Sequence, residues 1–149
     1  MKQNQKGFTL IELLAVIVIL AIIALIATPI ILNVVNNSRK GAARDSAFGV
    51  IKAVQLGYTE ALAQGGNIPS EITVTWASNG TTTITPDTDD TKKISINLSG
   101  TEVSGGTVEI KDGNATATNL FIDGWYCNTS GNDIVCTDTA QSSTTNPEG

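Results

Sequence analysis

The sequence predicts an α+β fold: a long N-terminal α-helix, apolar in its first half and amphipathic in its second, packed on a C-terminal antiparallel β-sheet. Three observations carry that prediction. Residues 8–32, FTLIELLAVIVILAIIALIATPIIL, are a run of 25 with a single ionisable side chain, Glu12. Apolar residues then recur at Ala47, Ile51, Val54, Tyr58 and Leu62, the spacing of one helix face. Beyond about residue 70 apolar and polar residues alternate at period two, in short runs separated by glycine-rich turn signals.

The first element, residues 8–32, is long enough to cross a bilayer core as a helix. Lys2 and Lys6 precede it and favour a cytoplasmic N-terminus. The apolar run is too long for a secretory signal, and no A-x-A site closes it. A carboxylate inside such a run is costly unless it has a partner, so Glu12 marks a function. The amphipathic stretch, residues 33–63, continues the same helix, with Lys52, Gln55 and Glu60 on its other face. At 1.5 Å per residue the whole would measure roughly 80 Å, so half of it must pack on something other than a membrane. Pro29 cannot donate to the Leu25 carbonyl, and a kink or local melting is expected over residues 25–29. Gly41, Gly49 and Gly57 recur every eight residues. They suit either close approach of a neighbour or a loosened helix.

QGGNIPSE, residues 64–71, holds the glycines and proline that end a helix. A β-rich globular domain is expected over residues 64–138. Its candidate strands centre on Ile72, Val74 and Trp76; on Ile94, Ile96 and Leu98; and on Val108 and Ile110. Turns are expected at Asn79-Gly80, Ser99-Gly100, Gly105-Gly106, Asp112-Gly113 and Ser130-Gly131-Asn132. A last hairpin would set Trp125, Cys127, Ile134 and Cys136 on one side. The sheet's apolar face needs a cover, which the helix face through Val54 can supply. Residues 139–149 read as a disordered tail.

The 149 residues carry a formal net charge of -5, which argues against nonspecific nucleic-acid binding. Without His, and with only two Cys, the chain offers no His-based triad and no ordinary zinc site; no metal or other cofactor is expected. Cys127 and Cys136 suit a disulfide if the domain lies outside the cytoplasm, and free thiols otherwise. DTDD, residues 87–90, resembles part of a calcium loop but lacks the glycine and the downstream Glu, so it reads as a solvated acidic turn. Asn36, Asn79, Asn97, Asn114 and Asn128 open N-x-[ST] sequons, as chance allows in so Asn- and Thr-rich a chain. Trp125 and Tyr126 suit core packing beside the cystine better than ligand stacking.

The stretch KGFTLIEL, residues 6–13, resembles the processing site of type IV prepilins: a short basic leader ending in Gly, then Phe, then an apolar helix with Glu at its fifth position. The resemblance covers roughly residues 2–39, including a helix-breaking proline at Pro29, and its short leader and Phe8 are similar to the type IVa class. It implies a leader of residues 1–7, cleavage between Gly7 and Phe8 by a membrane aspartyl peptidase, and N-methylation of Phe8. It also implies the type IV pilin fold and a disulfide-bounded region, although Cys127 and Cys136 enclose a smaller loop than is usual. On this reading Glu12 pairs, during subunit assembly, with the new ammonium on Phe8 of an adjacent copy. The chain would be a filament subunit without catalytic chemistry, anchored first in the cytoplasmic membrane and then exposed in a surface pilus. Its partners would be copies of itself, the peptidase, and an assembly platform with its ATPase. Adhesion, motility or DNA uptake would be outputs of that system. A pseudopilin of a secretion or competence system, and a membrane-tethered binding module that never polymerises, are the competing readings.

Overall fold

The computed structural model describes residues 7–141. Apart from Gly7, the expected leader lies outside the described residues, as do residues 142–149 of the expected tail. The chain forms two compact units, Met1–Ser38 and Arg39–Gly149. One helix, α1 (Leu10–Ala63), has residues in both. It is the one helix among the described residues long and apolar enough to cross a membrane.

In the first unit α1 satisfies its backbone internally and buries no side chain. Pro29 lies inside the helix, and the assignment continues unbroken across residues 25–29, so the chain does not melt there. Proline removes one rung, and the neighbouring rungs hold. The Thr28 hydroxyl adds a bond to the Ala24 carbonyl at 2.7 Å.

In the second unit α1 buries Ala43, Ala47, Val50, Ile51, Val54, Gly57, Tyr58 and Ala61. The stripe follows the expected face up to Tyr58. It then passes to Ala61 rather than Leu62, which is 42% exposed, because a 3.6-residue repeat needs a step of three after the step of four. The helix ends as the glycines demand. Gly65 takes φ 81°, its N–H donates to the Leu62 carbonyl, and the Gly66 N–H reaches back to Ala61, a Schellman closure.

Seven strands follow: β1 (Glu71–Trp76), β2 (Thr82–Thr85), β3 (Gly106–Lys111), β4 (Asn114–Thr118), β5 (Leu120–Ile122), β6 (Trp125–Ser130) and β7 (Asp133–Thr137). They form two antiparallel sheets, ordered β2-β1-β3-β4 and β5-β6-β7. Ile72, Val74, Trp76, Val108 and Ile110 turn inward from the first sheet, and Leu120, Ile122, Cys127, Ile134 and Cys136 from the second. Together with the α1 stripe they make one core. The expected α+β arrangement is the observed one.

Two strand expectations change. Residues 94–98 are not a strand, because both edges of β1 are already taken by β2 and β3. The segment lies on α1 instead: a Cβ on Gly57 would meet the Ser95 carbonyl oxygen at 2.4 Å. Its alternation reflects Ile94, Ile96 and Leu98 packing on the core from an unpaired extended chain. Close approach is therefore the reason for glycine at 57, whereas nothing lies within 4 Å of a Cβ at Gly41 or Gly49. Conversely β2, β4 and β5 were not expected. The tight turns before and after β5's neighbourhood are left-handed pairs, Asp112-Gly113 and Asp123-Gly124, with φ 50° and 82°, and 50° and 85°.

The hairpin of β6 and β7 is as expected. Cys127 and Cys136 sit opposite each other and are joined by a disulfide. Chain order persists past β7 to Gln141, whose N–H and C=O bond the side-chain amide of Asn119 at 2.9 and 2.8 Å.

Candidate functional site

The N-terminal region is built by the entry into α1. Gly7, Phe8 and Thr9 are non-helical and exposed, and the helix begins at Leu10. The Gly7–Phe8 bond thus lies in open chain, three residues ahead of the helix, as a peptidase needs. Phe8 is 87% exposed.

Glu12 is held by Thr9. Thr9 donates to Glu12 Oε2 twice, from its backbone N–H at 3.0 Å and from its hydroxyl at 2.7 Å. Thr9 Oγ1 accepts in turn from the Glu12 N–H at 3.4 Å. This is a capping box: two N–H groups that the first turn cannot satisfy are answered by the two side chains reciprocally. The helix dipole adds to it, placing the carboxylate at the positive end. Sequence reasoning singled out Glu12 and passed over Thr9. The signal was present, since T-x-x-E before an apolar run is the capping-box pattern.

The arrangement has a chemical consequence. Before any partner arrives, Glu12 is a partly satisfied acceptor fixed in one orientation. Phe8 directly precedes the residue that fixes it, so an ammonium created at Phe8 would arise beside the carboxylate's own hydrogen-bond network. From Leu13 to Leu32 the helix offers only apolar side chains and Thr28, with Ile17, Leu20 and Ile23 all more than half exposed.

The remaining candidate residues lie in the second unit. Cys127 and Cys136 are buried to within 1% and bonded, which leaves no thiol. Trp125 packs partly on the core, with the Lys40 ammonium 5.9 Å from its ring centroid. Tyr126 takes the opposite face of β6, beside Phe121 at 4.7 Å between centroids, so only one of the two aromatic side chains joins the core. The acidic turn is neutralised from within. Lys92 lies 3.7 and 3.5 Å from Asp87 and Asp89, and Lys93 bonds Asp90 at 2.7 Å, holding that carboxyl below the usual range. Among the described residues no group of three or more His, Cys, Asp or Glu is placed to hold a metal ion. Of the sequon asparagines, Asn128 is buried, its Oδ1 accepting from the Asn119 N–H at 2.8 Å.

One further contact was not foreseen. Arg44 on α1 pairs with Asp133 at the start of β7, and its Nε also donates to the Ile134 carbonyl at 3.1 Å. The hydrogen bond with Arg44, and a second from the Ile134 N–H, hold the Asp133 carboxyl below its ordinary range. Sequence separation hid this pair, since 89 residues divide the partners.

Residues 2–28 match the prokaryotic N-terminal methylation motif, the class III signal peptide of type IV pilins and pseudopilins. No curated protein and no solved structure matches the chain. The motif implies processing by a prepilin peptidase, and the apolar helix supports a membrane-anchored precursor of a pilin or pseudopilin.

Proposed function

We propose that this chain is the structural subunit of a type IV pilus, trimmed after Gly7, N-methylated on Phe8 and polymerised through the first half of α1. The observation that carries the reading is the coincidence of the methylation motif with a helix half that buries nothing within its own chain. Such a surface is stable only in lipid or against copies of itself.

In this reading Glu12 is the register pin. Cleavage converts Phe8 into a chain terminus with an ammonium group. In the apolar layer of a filament that charge needs a partner, and Glu12 of an adjacent subunit supplies one, with Thr9 keeping the carboxylate aimed. An unprocessed chain has no ammonium at Phe8, so cleavage acts as the switch for assembly. Pro29 gives the helix a point where one missing rung lets it bend as subunits pack. The β-rich domain forms the filament surface. The subunit itself performs no catalysis; its partners are its own copies, the peptidase, the assembly platform and the platform's ATPase. Adhesion, motility and DNA uptake would be tasks of the filament.

N-terminal mass spectrometry of material sheared from cell surfaces tests export, trimming, methylation and polymer location together. The expected first residue is N-methylphenylalanine at Phe8. Gly7→Val, whose β-branched side chain obstructs the peptidase, should leave full-length chain in the membrane. An intact N-terminus on the mature surface protein, or normal trimming of Gly7→Val, contradicts the assignment. Electron microscopy separates pilin from pseudopilin: long surface fibres containing this chain are expected.

A further inference from the structure

Strand β4 is paired on one side only, with β3. Its other edge is closed at two points by side chains. Gln55 Nε2, from α1, donates to the Gly113 carbonyl at 3.0 Å, and the Ala117 N–H donates to Thr129 Oγ1 at 2.8 Å. Backbone groups point to alternate edges along a strand. Because the Ala117 N–H faces outward, the N–H and C=O of Ala115 face outward too. They have no partner among the described residues. One rung of the sheet is therefore open, between two that are capped.

That rung opens on a groove of about 480 Å³ formed by α1, the start of β4 and the tip of the β6–β7 hairpin. Phe48 and Ile134 give it an apolar lining. Its charged groups are already engaged: Asp133 pairs with Arg44, and the Lys52 ammonium lies 3.5 Å from Gln55 Oε1. Its remaining polar side chains include Asn114 and Asn132, both exposed and without a side-chain hydrogen bond among the described residues.

From this set we infer that the groove binds the acetamido group of an N-acetylated hexosamine. A lone N–H donor and C=O acceptor on one residue call for a ligand with one secondary amide. An extended peptide would need rungs at every second residue, and Gln55 and Thr129 already occupy the flanking ones. An acetamide needs only one. Its methyl group can seat against Phe48 and Ile134, while the uncommitted amides of Asn114 and Asn132 offer donors and acceptors for ring hydroxyls. The volume falls within the range of small-molecule sites, and a neutral ligand leaves both ion contacts intact.

The test is amide shift mapping of isotope-labelled full-length protein titrated with N,N′-diacetylchitobiose, with cellobiose as the control that keeps the linkage but lacks acetamides. A saturable shift of the Ala115 amide with the first sugar and none with the second is expected. Ala115→Pro removes the outward N–H at a strand edge that tolerates proline, and should weaken binding by about tenfold, the cost of one hydrogen bond. No saturable shift at Ala115, or equal shifts with cellobiose, overturns the inference. Saturation by N-acetylalanine methylamide as strong as by the sugar also overturns it, in favour of a peptide. The wild-type titrations decide these outcomes whether or not Ala115→Pro folds.

Discussion

In the first half of α1, Leu14, Ile17 and Leu20 leave 53, 56 and 58% of their surface exposed; in the second half, Val50, Val54 and Ala61 leave 1% or less. The backbone geometry is the same in both. What differs is where the side chains find their partners. Burying one such aliphatic side chain is worth about 1.5–3 kcal/mol. The second half realises that gain inside its own unit, against two sheets. The first half leaves it unrealised, available to lipid or to other copies. Polar groups divide the same way: Arg44 is tied to Asp133 within the chain, whereas Glu12 has only the capping contacts of Thr9.

The largest expected effect breaks the first half without touching the second. Glu12→Ala should insert into the membrane more readily, because the intramembrane carboxylate is gone. Leader cleavage should continue, since Gly7 and Phe8 are unchanged. Surface polymer should be lost or severely reduced, because each incoming subunit would strand its ammonium. Two measurements on one mutant decide it: cleaved fraction by mass spectrometry and sheared polymer by immunoblot. Wild-type polymer yield with normal cleavage would sink the pairing; loss of cleavage alone would make Glu12 a peptidase determinant.

The reverse experiment weakens the second half alone. Cys127 and Cys136 are fully buried, so native protein should show no thiol reactivity and should resist reductant until the domain opens. Cys127→Ser should lower stability by about 2–4 kcal/mol in chemical denaturation, the usual range for removing a bridge. Membrane insertion and leader cleavage should not change. Two readily labelled thiols in exported native protein would defeat the assignment.

A smaller effect separates two glycines of the same helix half. A methyl group at Gly57 would collide with the Ser95 carbonyl, which belongs to backbone and must shift as a segment. Gly57→Ala should therefore destabilise by about 1–3 kcal/mol. Gly49 has nothing within 4 Å, and Gly49→Ala should stabilise by about 0.5–1 kcal/mol through helix propensity. Thermal melts of the two variants should move in opposite directions. Equal shifts would mean that the 94–98 segment does not hold its close approach in solution.

These contrasts also locate what could be read from the chain. The helix was legible because its two halves carry strong, different patterns, and β1, β3, β6 and β7 because apolar residues alternate within them. Strand β4, NATAT, turns only Ala115 and Ala117 inward, and β2, TTIT, only Ile84, so neither shows a hydrophobic period. Their stabilisation comes from cross-strand neighbours that no local window contains. The 94–98 segment misled for the opposite reason: it alternates, yet the edge it would need is occupied. At the N-terminus Glu12 stood out by its cost in an apolar run, while Thr9, its partner, looked ordinary. The open rung at Ala115 was out of reach altogether, since it depends on Gln55 and Thr129 meeting one strand edge from different elements.

The smallest expected effect concerns the tie between α1 and the hairpin. Arg44 holds the Asp133 carboxyl below its ordinary range, with the Ile134 N–H assisting, and Asp45 stands near enough to act on Arg44 as well. The folded chain therefore gives up this proton at lower pH than the unfolded chain does. The linked stabilisation is fully present above the unfolded carboxyl value, about 3.9, and is lost as pH falls through the lower folded value. Both partners are largely exposed, so solvent and salt screen the pair and its share of stability is small. Asp133→Asn keeps a polar partner for Arg44 and removes the titration. Its melting temperature should match wild type at pH 3 and fall slightly below it at pH 7, with the gap narrowing at high salt. A gap that widened as pH fell would show that Asp133 is not the group whose proton is linked to folding, and that α1 and the hairpin are held by the Ala43 and Ala47 contacts alone.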